Sequence, residues 1–275
     1  MKLKMLLIAI GLLVLVELLL LGCARPLANV FLMHPRTEPL PSPIGMRKVV
    51  KADVGDIEVF VAGPMDGSRL VLCLQGNGGR AEPPLAGRVQ RWDDAQVWSM
   101  NWPGYGGSTG EPKLHNLAPA SRAVYDALVE EAAGRPVYLD GDSMGTTVAL
   151  HLAATVDVAP AGLVLKNPPP LRQLILGRFG WWNLWLIAWP ISTGVPGELD
   201  SLGNAARVEV PTIVLTSERD TLVSPKYQQR VFDSLAGPKV RVIQDGANHN
   251  TPIDAATEAK LADAMRQLFG GAASR

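Results

Sequence analysis

Gly141-Asp142-Ser143-Met144-Gly145 sets a serine between two glycines, each one residue removed from it. A serine hydroxyl is a poor nucleophile until a base takes its proton, and the base works best when a carboxylate orients it. His249 is the only histidine after residue 151 and is the candidate base. Asp220 is the candidate orienting acid. Glu218, two residues before it, and Asp245, close in sequence to His249, compete for that role. The chemistry implied is acyl transfer through a covalent serine intermediate. The oxyanion formed on the way needs N–H donors. One is the main-chain N–H of Met144. A second is expected from Gln75-Gly76-Asn77-Gly78-Gly79, where three glycines let backbone approach a ligand and Asn77 is the candidate donor. The competing readings are structural: a glycine-rich turn with Ser143 as a helix cap, a plain turn at 75–79, and a loop histidine at 249.

These residues need a frame that brings them together. Val137–Leu139 reads as a strand and Met144–Ala154 as a helix, so Ser143 falls on a strand-to-helix turn. Further strands are expected over Arg47–Asp53, Asp56–Ala62, Leu70–Leu74, Gln96–Asn101, Gly162–Leu165, Thr212–Thr216 and Val240–Ile243. Helices are expected over Glu82–Arg91, Ala118–Ala132, Pro225–Leu235 and Asp254–Phe269. Strands that alternate with helices imply a mostly parallel sheet covered on both faces. Asp220 and His249 each fall just past a strand, as Ser143 does. Pro168–Asn204 interrupts the alternation and holds four of the seven tryptophans: Trp181, Trp182, Trp185 and Trp189. It is read as a cap insertion over about 168–204. Its tryptophans either fill the space between cap and sheet or face lipid.

Composition excludes several functions. With 26 basic and 26 acidic side chains in 275 residues, the chain lacks the basic excess of a protein that binds nucleic acid by neutralising phosphate. The 47% hydrophobic content argues against disorder. Two cysteines, Cys23 and Cys73, are too few for a disulfide scaffold, and the four histidines lack the spacing of a helical zinc motif, so no metal and no cofactor are expected. Cys73 lies in an apolar run and is expected to be a small buried side chain.

Lys2 and Lys4 precede an apolar run from Met5 to Leu21 broken only by Glu17. Residues 1–22 are therefore read as a signal peptide or an uncleaved signal anchor. Leu20-Leu21-Gly22-Cys23 resembles a bacterial lipobox, which would make Cys23 a lipidation site. Both readings place the domain in the cell envelope, on a membrane and outside the cytoplasm. Pro26, Pro35, Pro39, Pro41 and Pro43 make 23–45 an extended tether rather than a helix, with the folded domain at 46–275.

The ordered motifs resemble the α/β-hydrolase superfamily. Within it the chain is similar to membrane-anchored hydrolases grouped with serine-aminopeptidase-like and acyl-protein-thioesterase-like proteins. The resemblance is carried by the elbow at Ser143 and by Pro103-Gly104-Tyr105-Gly106-Gly107-Ser108-Thr109-Gly110. Trp189-Pro190-Ile191 and Asp220 followed by Val223-Ser224-Pro225 extend it. The superfamily often has His where this chain has Gln75, which puts the loop's hydrogen bonding in question. The resemblance implies a Ser143-Asp220-His249 triad acting on an ester or thioester, with a small-molecule or acyl-chain substrate. The alternatives are a peptidase, a non-catalytic envelope binding protein on the same fold, and an envelope interaction protein that works through its Trp-rich segment. No run of acidic groups lies in the cap to receive a free amino terminus, and the elbow serine disfavours a dehalogenase, which needs a carboxylate there.

Overall fold

Period-two burial builds the sheet. In β3 (Arg69–Leu74), Leu70, Leu72 and Leu74 enter one apolar layer and Val71 and Cys73 the other. A strand covered on both faces reads as an unbroken apolar run, which is why this segment shows no alternation in sequence. The computed structural model describes residues 2–38, 40, 45–181 and 186–270. The other strands are β1 (Met46–Ala52), β2 (Gly55–Ala62), β4 (Ala95–Met100), β5 (Val137–Asp142), β6 (Gly162–Lys166), β7 (Thr212–Ser217) and β8 (Lys239–Gln244). They form one sheet in the order β1-β2-β4-β3-β5-β6-β7-β8. β2 pairs antiparallel with β1 and β4, and the remaining pairs are parallel. This is the α/β-hydrolase fold, as expected from the sequence.

α3 (Leu85–Arg91) and α10 (Ala255–Phe269) cover one face, contributing Leu85, Leu261 and Phe269 to its apolar layer. α4 (Leu114–Ala132), α5 (Met144–Thr155) and α9 (Pro225–Ser234) cover the other, through side chains such as Val124, Val148 and Val231. Ser143, Asp220, His249 and the 75–79 loop all follow the C-terminal ends of parallel strands. That edge is where ligands bind in open α/β sheets.

Two helices differ from the sequence reading. Residues 24–32 were expected to be extended, yet Ala24–Leu32 is a helix, α2. Pro26 falls in its first turn, where an N–H has no intrahelical acceptor to lose. Pro39, Pro41 and Pro43 lie outside the described residues. α4 begins at Leu114, four residues before the expected start, and contains Pro119. The Asn29 side chain of α2 caps it, accepting the Leu114 N–H at 2.9 Å. α1 (Lys2–Gly22) has no buried residue and is apolar and long enough to cross a membrane.

The cap insertion folds as α6 (Leu171–Phe179), α7 (Ala188–Thr193), a 3-10 turn at Gly197–Leu199, and α8 (Ser201–Ala205). Trp181 is 70% exposed and Trp189 44%, so these two do not fill space beneath the cap. Trp182 and Trp185 lie outside the described residues.

Candidate active site

The elbow is a forced turn. Ser143 sits at φ +48°, ψ −116°, a region costly for a residue with a side chain, between the end of β5 and the start of α5. A Cβ on Gly145 would stand 2.2 Å from the Leu74 carbonyl oxygen, and one on Gly141 would stand 2.9 Å from Thr146 Cα. Both flanking glycines are thus fixed by close approach of backbone. The Ser143 N–H donates to the Lys166 carbonyl at 2.8 Å, tying the turn to the neighbouring strand.

His249 and Asp220 meet this serine. His249 Nε2 is 3.0 Å from Ser143 Oγ, and His249 Nδ1 is 2.6 Å from Asp220 Oδ2. Asp220 is buried and its oxygens are fully engaged. Oδ1 accepts the N–H groups of Leu222 and Val223, both at 2.8 Å, and Oδ2 also accepts from Gln228 Nε2 at 3.0 Å. The competing acids stand elsewhere. Asp245 is an exposed partner of Lys260 at 2.8 Å, and Glu218 accepts the Gly246 N–H at 2.7 Å.

The 75–79 loop lies against the elbow: a Cβ on Gly76 would stand 3.3 Å from Ser143 Cβ. Among the described residues, neither the Asn77 nor the Met144 main-chain N–H is bonded to a carbonyl in the turns and loops. The Asn77 side chain is held firmly. Its Oδ1 accepts from the His34 N–H at 3.1 Å and from the Tyr105 hydroxyl at 3.2 Å. Burial pushes the Tyr105 phenol up, which keeps its proton available for that bond. Gln75 answers the question its type raised. Its amide donates to Ser99 Oγ at 2.7 Å, Ser99 donates on to the Ala81 carbonyl, and Trp102 Nε1 donates to the Gln75 carbonyl.

The Pro103–Gly110 motif supports this loop from behind. Its Gly107 N–H donates to Glu58 at 2.7 Å, and a Cβ there would stand 2.4 Å from the same carboxylate. Glu58 also takes Asn101 Nδ2 at 2.8 Å and Arg47 Nε at 2.6 Å. Burial raises the Glu58 pKa, but these donors outweigh it and hold the carboxyl below its ordinary range.

Sequence reasoning missed two residues. Asn167 is fully buried at φ +52°; its amide donates to the His249 carbonyl at 3.2 Å and its oxygen accepts the Ser217 N–H at 2.9 Å. It ties the histidine loop to β7. Gln228 bridges Asp220 to the Val223 carbonyl. Neither sits in a recognisable spacing; the only signal for Asn167 is a lone polar residue directly after a buried strand.

A cavity of about 760 Å³ opens over Ser143 and His249. Leu171, Leu174, Ile175 and Val223 give it apolar walls, while Arg36, Arg80 and Arg178 stand along it. Arg80 is paired with Glu82, and Arg178 donates to the Leu222 carbonyl at 2.8 Å. Cys73 is buried away from this site, and burial pushes its thiol up to about 12, so it is inert.

The α/β-hydrolase fold family matches residues 69–192. An uncharacterised protein of Mycobacterium tuberculosis is 29% identical over 159 residues, covering 57% of this chain and 53% of its own. Lysophosphatidylserine lipase ABHD12 of Danio rerio is 24% identical over 227 residues, covering 73% of this chain and 57% of that protein. An esterase from Pyrococcus furiosus superposes with a TM-score of 0.66 at 15% identity, covering 87% of this chain and 98% of that structure. The chain thus spans about half the length of the curated relatives it matches. The fold and the family match agree: the chain has the α/β-hydrolase fold, and its residues 69–192 match the model of that fold family.

Proposed function

We propose that this chain is a serine hydrolase that cleaves an acyl ester or thioester through Ser143, His249 and Asp220. The observation that carries the reading is the continuous 3.0 Å and 2.6 Å chain from Ser143 through His249 to buried Asp220, under a cavity with apolar walls. His249 Nε2 takes the Ser143 proton as Oγ attacks the carbonyl carbon. The Asn77 and Met144 N–H groups receive the oxyanion. Asp220 holds the tautomer with Nδ1 protonated and stabilises the imidazolium. When the tetrahedral species collapses, His249 returns the proton to the leaving oxygen or sulfur and Ser143 keeps the acyl group. Water then attacks the acyl-serine, with His249 again as base, and the free acid leaves.

A lipid ester suits the cavity, with Leu171, Leu174 and Ile175 offering an acyl channel and Arg36 at the mouth facing polar groups. The lipase named among the relatives supports the same substrate class. The apolar α1 and the exposed Cys23 support membrane attachment in the cell envelope, either as a retained signal anchor or through acylation of Cys23. The test of the chemistry is a fluorophosphonate probe on wild type and Ser143→Ala. Labelling of the wild type alone is expected; equal labelling, or none on folded wild type, overturns the reading. An acyl-ester chain-length series then ranks substrates.

A further inference from the structure

α1 passes into α2 with no loop between them. The Cys23 N–H bonds to the Leu19 and Leu20 carbonyls, both at 3.1 Å, and the Leu27 N–H returns to the Cys23 carbonyl at 3.0 Å. α2 is itself fixed in the domain. Ala24 and Ala28 are buried. A Cβ on Gly194, just past α7, would stand 2.1 Å from the Ala24 carbonyl oxygen, so α2 and α7 lie backbone to backbone. α7 also touches α1. Whatever holds α1 in lipid therefore holds the domain without slack.

The far end of α2 reaches the cavity, where Phe31, Leu32 and His34 form part of the wall. At about 1.5 Å per residue, this short helix puts that wall within roughly 14 Å of the end of α1. Large apolar side chains stand exposed on the elements beside it. Trp189 of α7 is 44% exposed, Ile187 41%, Trp181 at the end of α6 70%, and Phe31 and Leu222 on the rim 54% and 45%. Exposed apolar side chains on elements that pack together, as α7 does on α2 and α1, mark an interaction face, and tryptophan favours the boundary between membrane and water.

We infer that Trp181, Ile187 and Trp189, with the rim at Phe31 and Leu222, rest in the interfacial layer of the bilayer that holds the N-terminus, so that the cavity mouth opens at the lipid surface. The inference rests on the membrane attachment proposed above but not on its form. A retained α1 and an acylated Cys23 both end the lipid-borne segment at the start of α2.

The test uses the full chain in vesicles of phosphatidylcholine and phosphatidylglycerol, with and without brominated acyl chains, which quench tryptophan at short range. α1 contains no tryptophan, so its insertion alone gives no signal. Trp92, Trp98 and Trp102 are buried in the domain. In a parent chain carrying Trp182→Phe/Trp185→Phe, quenching is expected, and adding Trp181→Phe/Trp189→Phe should remove most of it. Absence of quenching in the membrane-bound parent, or equal quenching after the two further changes, overturns the inference. Failure of the chain to float with vesicles removes both the attachment and this inference. Fluorophosphonate labelling of Ser143 in the same samples reports the hydrolase reading separately, because neither tryptophan lines the cavity.

Discussion

Two buried aspartates, Asp140 and Asp220, sit at opposite ends of the molecule's polar chemistry. Asp140, within β5, lies 3.2 Å from Arg91 Nη1 and 3.8 Å from Arg88 Nε, and accepts Trp92 Nε1 at 2.8 Å. Burial raises its pKa, but the two guanidinium groups outweigh that and hold it below the usual carboxylate range. Glu258 closes the far side of Arg91 at 2.7 Å. Asp220 is as buried, yet its donors are two main-chain N–H groups, a glutamine amide and an imidazole. Among the described residues, His249 is the one ionisable group paired with it. Burial and the number of bonds do not separate the two sites; the donors do. Arginines cancel the charge of Asp140 and make it a brace. Neutral donors leave the charge of Asp220 to act on the one group that can become a cation, and that group faces a cavity.

The comparison breaks most decisively at the proposed nucleophile. Ser143→Ala is expected to lower kcat by about 10⁶, with thermal stability near that of wild type, because the two halves of the site act as one unit. An ester assay with calorimetry on the same samples checks both. Asp220→Asn comes next. Its amide favours the wrong tautomer of His249, and a loss of about 10⁴ in kcat is expected. Asp245→Asn should stay close to wild type, since that exposed carboxylate pairs with Lys260, away from His249; a reversal of the two results would reassign the acid.

Asp140→Ala should show the opposite pattern. It leaves Arg88 and Arg91 buried without their shared partner, a change that costs about 3–5 kcal/mol. At about 2–4 °C per kcal/mol for a domain near this size, Tm should fall by roughly 10 °C. Turnover per folded molecule, measured well below the new Tm, should remain near that of wild type. A brace and the proposed catalytic acid are thereby separated by which of two readouts moves.

The same contrast explains what was legible in the sequence. The elbow, the order serine–acid–histidine and the buried strands leave local signatures: glycines flanking Ser143, apolar runs, and polar residues just past strand ends. The choice of Asp220 over Glu218 and Asp245 could not be settled that way, because the contact that distinguishes it, His249, lies 29 residues on and meets it only in the fold; the pairing of Asp140 with Arg88 and Arg91 likewise leaves no local pattern. α2 was hidden by its proline-rich surroundings, although Pro26 in a first turn costs the helix nothing. Asn167 and Gln228 were hidden for the same reason: a single polar side chain, one in a turn and one in α9, carries no spacing. The role of Asn167 as a positioning residue is open to test. Asn167→Gly keeps the left-handed backbone and removes only the bonds to His249 and Ser217. A fall of about tenfold in kcat with KM unchanged is expected, an effect of the order of one hydrogen bond. A change in Tm alone would make the residue merely structural.

Glu58 stands between the two aspartates, and it sharpens the distinction with the smallest effect. It is buried against the Pro103–Gly110 loop and bonded by one cation, Arg47, and by the neutral Gly107 N–H and Asn101 amide. Its pKa in the folded chain lies below its value when unfolded. The stability it contributes is therefore complete above the ordinary glutamate pKa and is lost as pH falls through the lowered folded value. Glu58→Gln can keep the bonds from Gly107 and Asn101 while losing the charge that draws Arg47. Because Arg47 is more than half exposed, solvent screens that attraction, and the variant should lose about 1 kcal/mol or less near neutral pH. The gap in Tm between wild type and variant should narrow as pH falls below the ordinary glutamate range, since both side chains are then uncharged. A gap that stays constant across that range would mean that Glu58 holds the loop through its neutral donors alone, placing it with Asp220 rather than with Asp140.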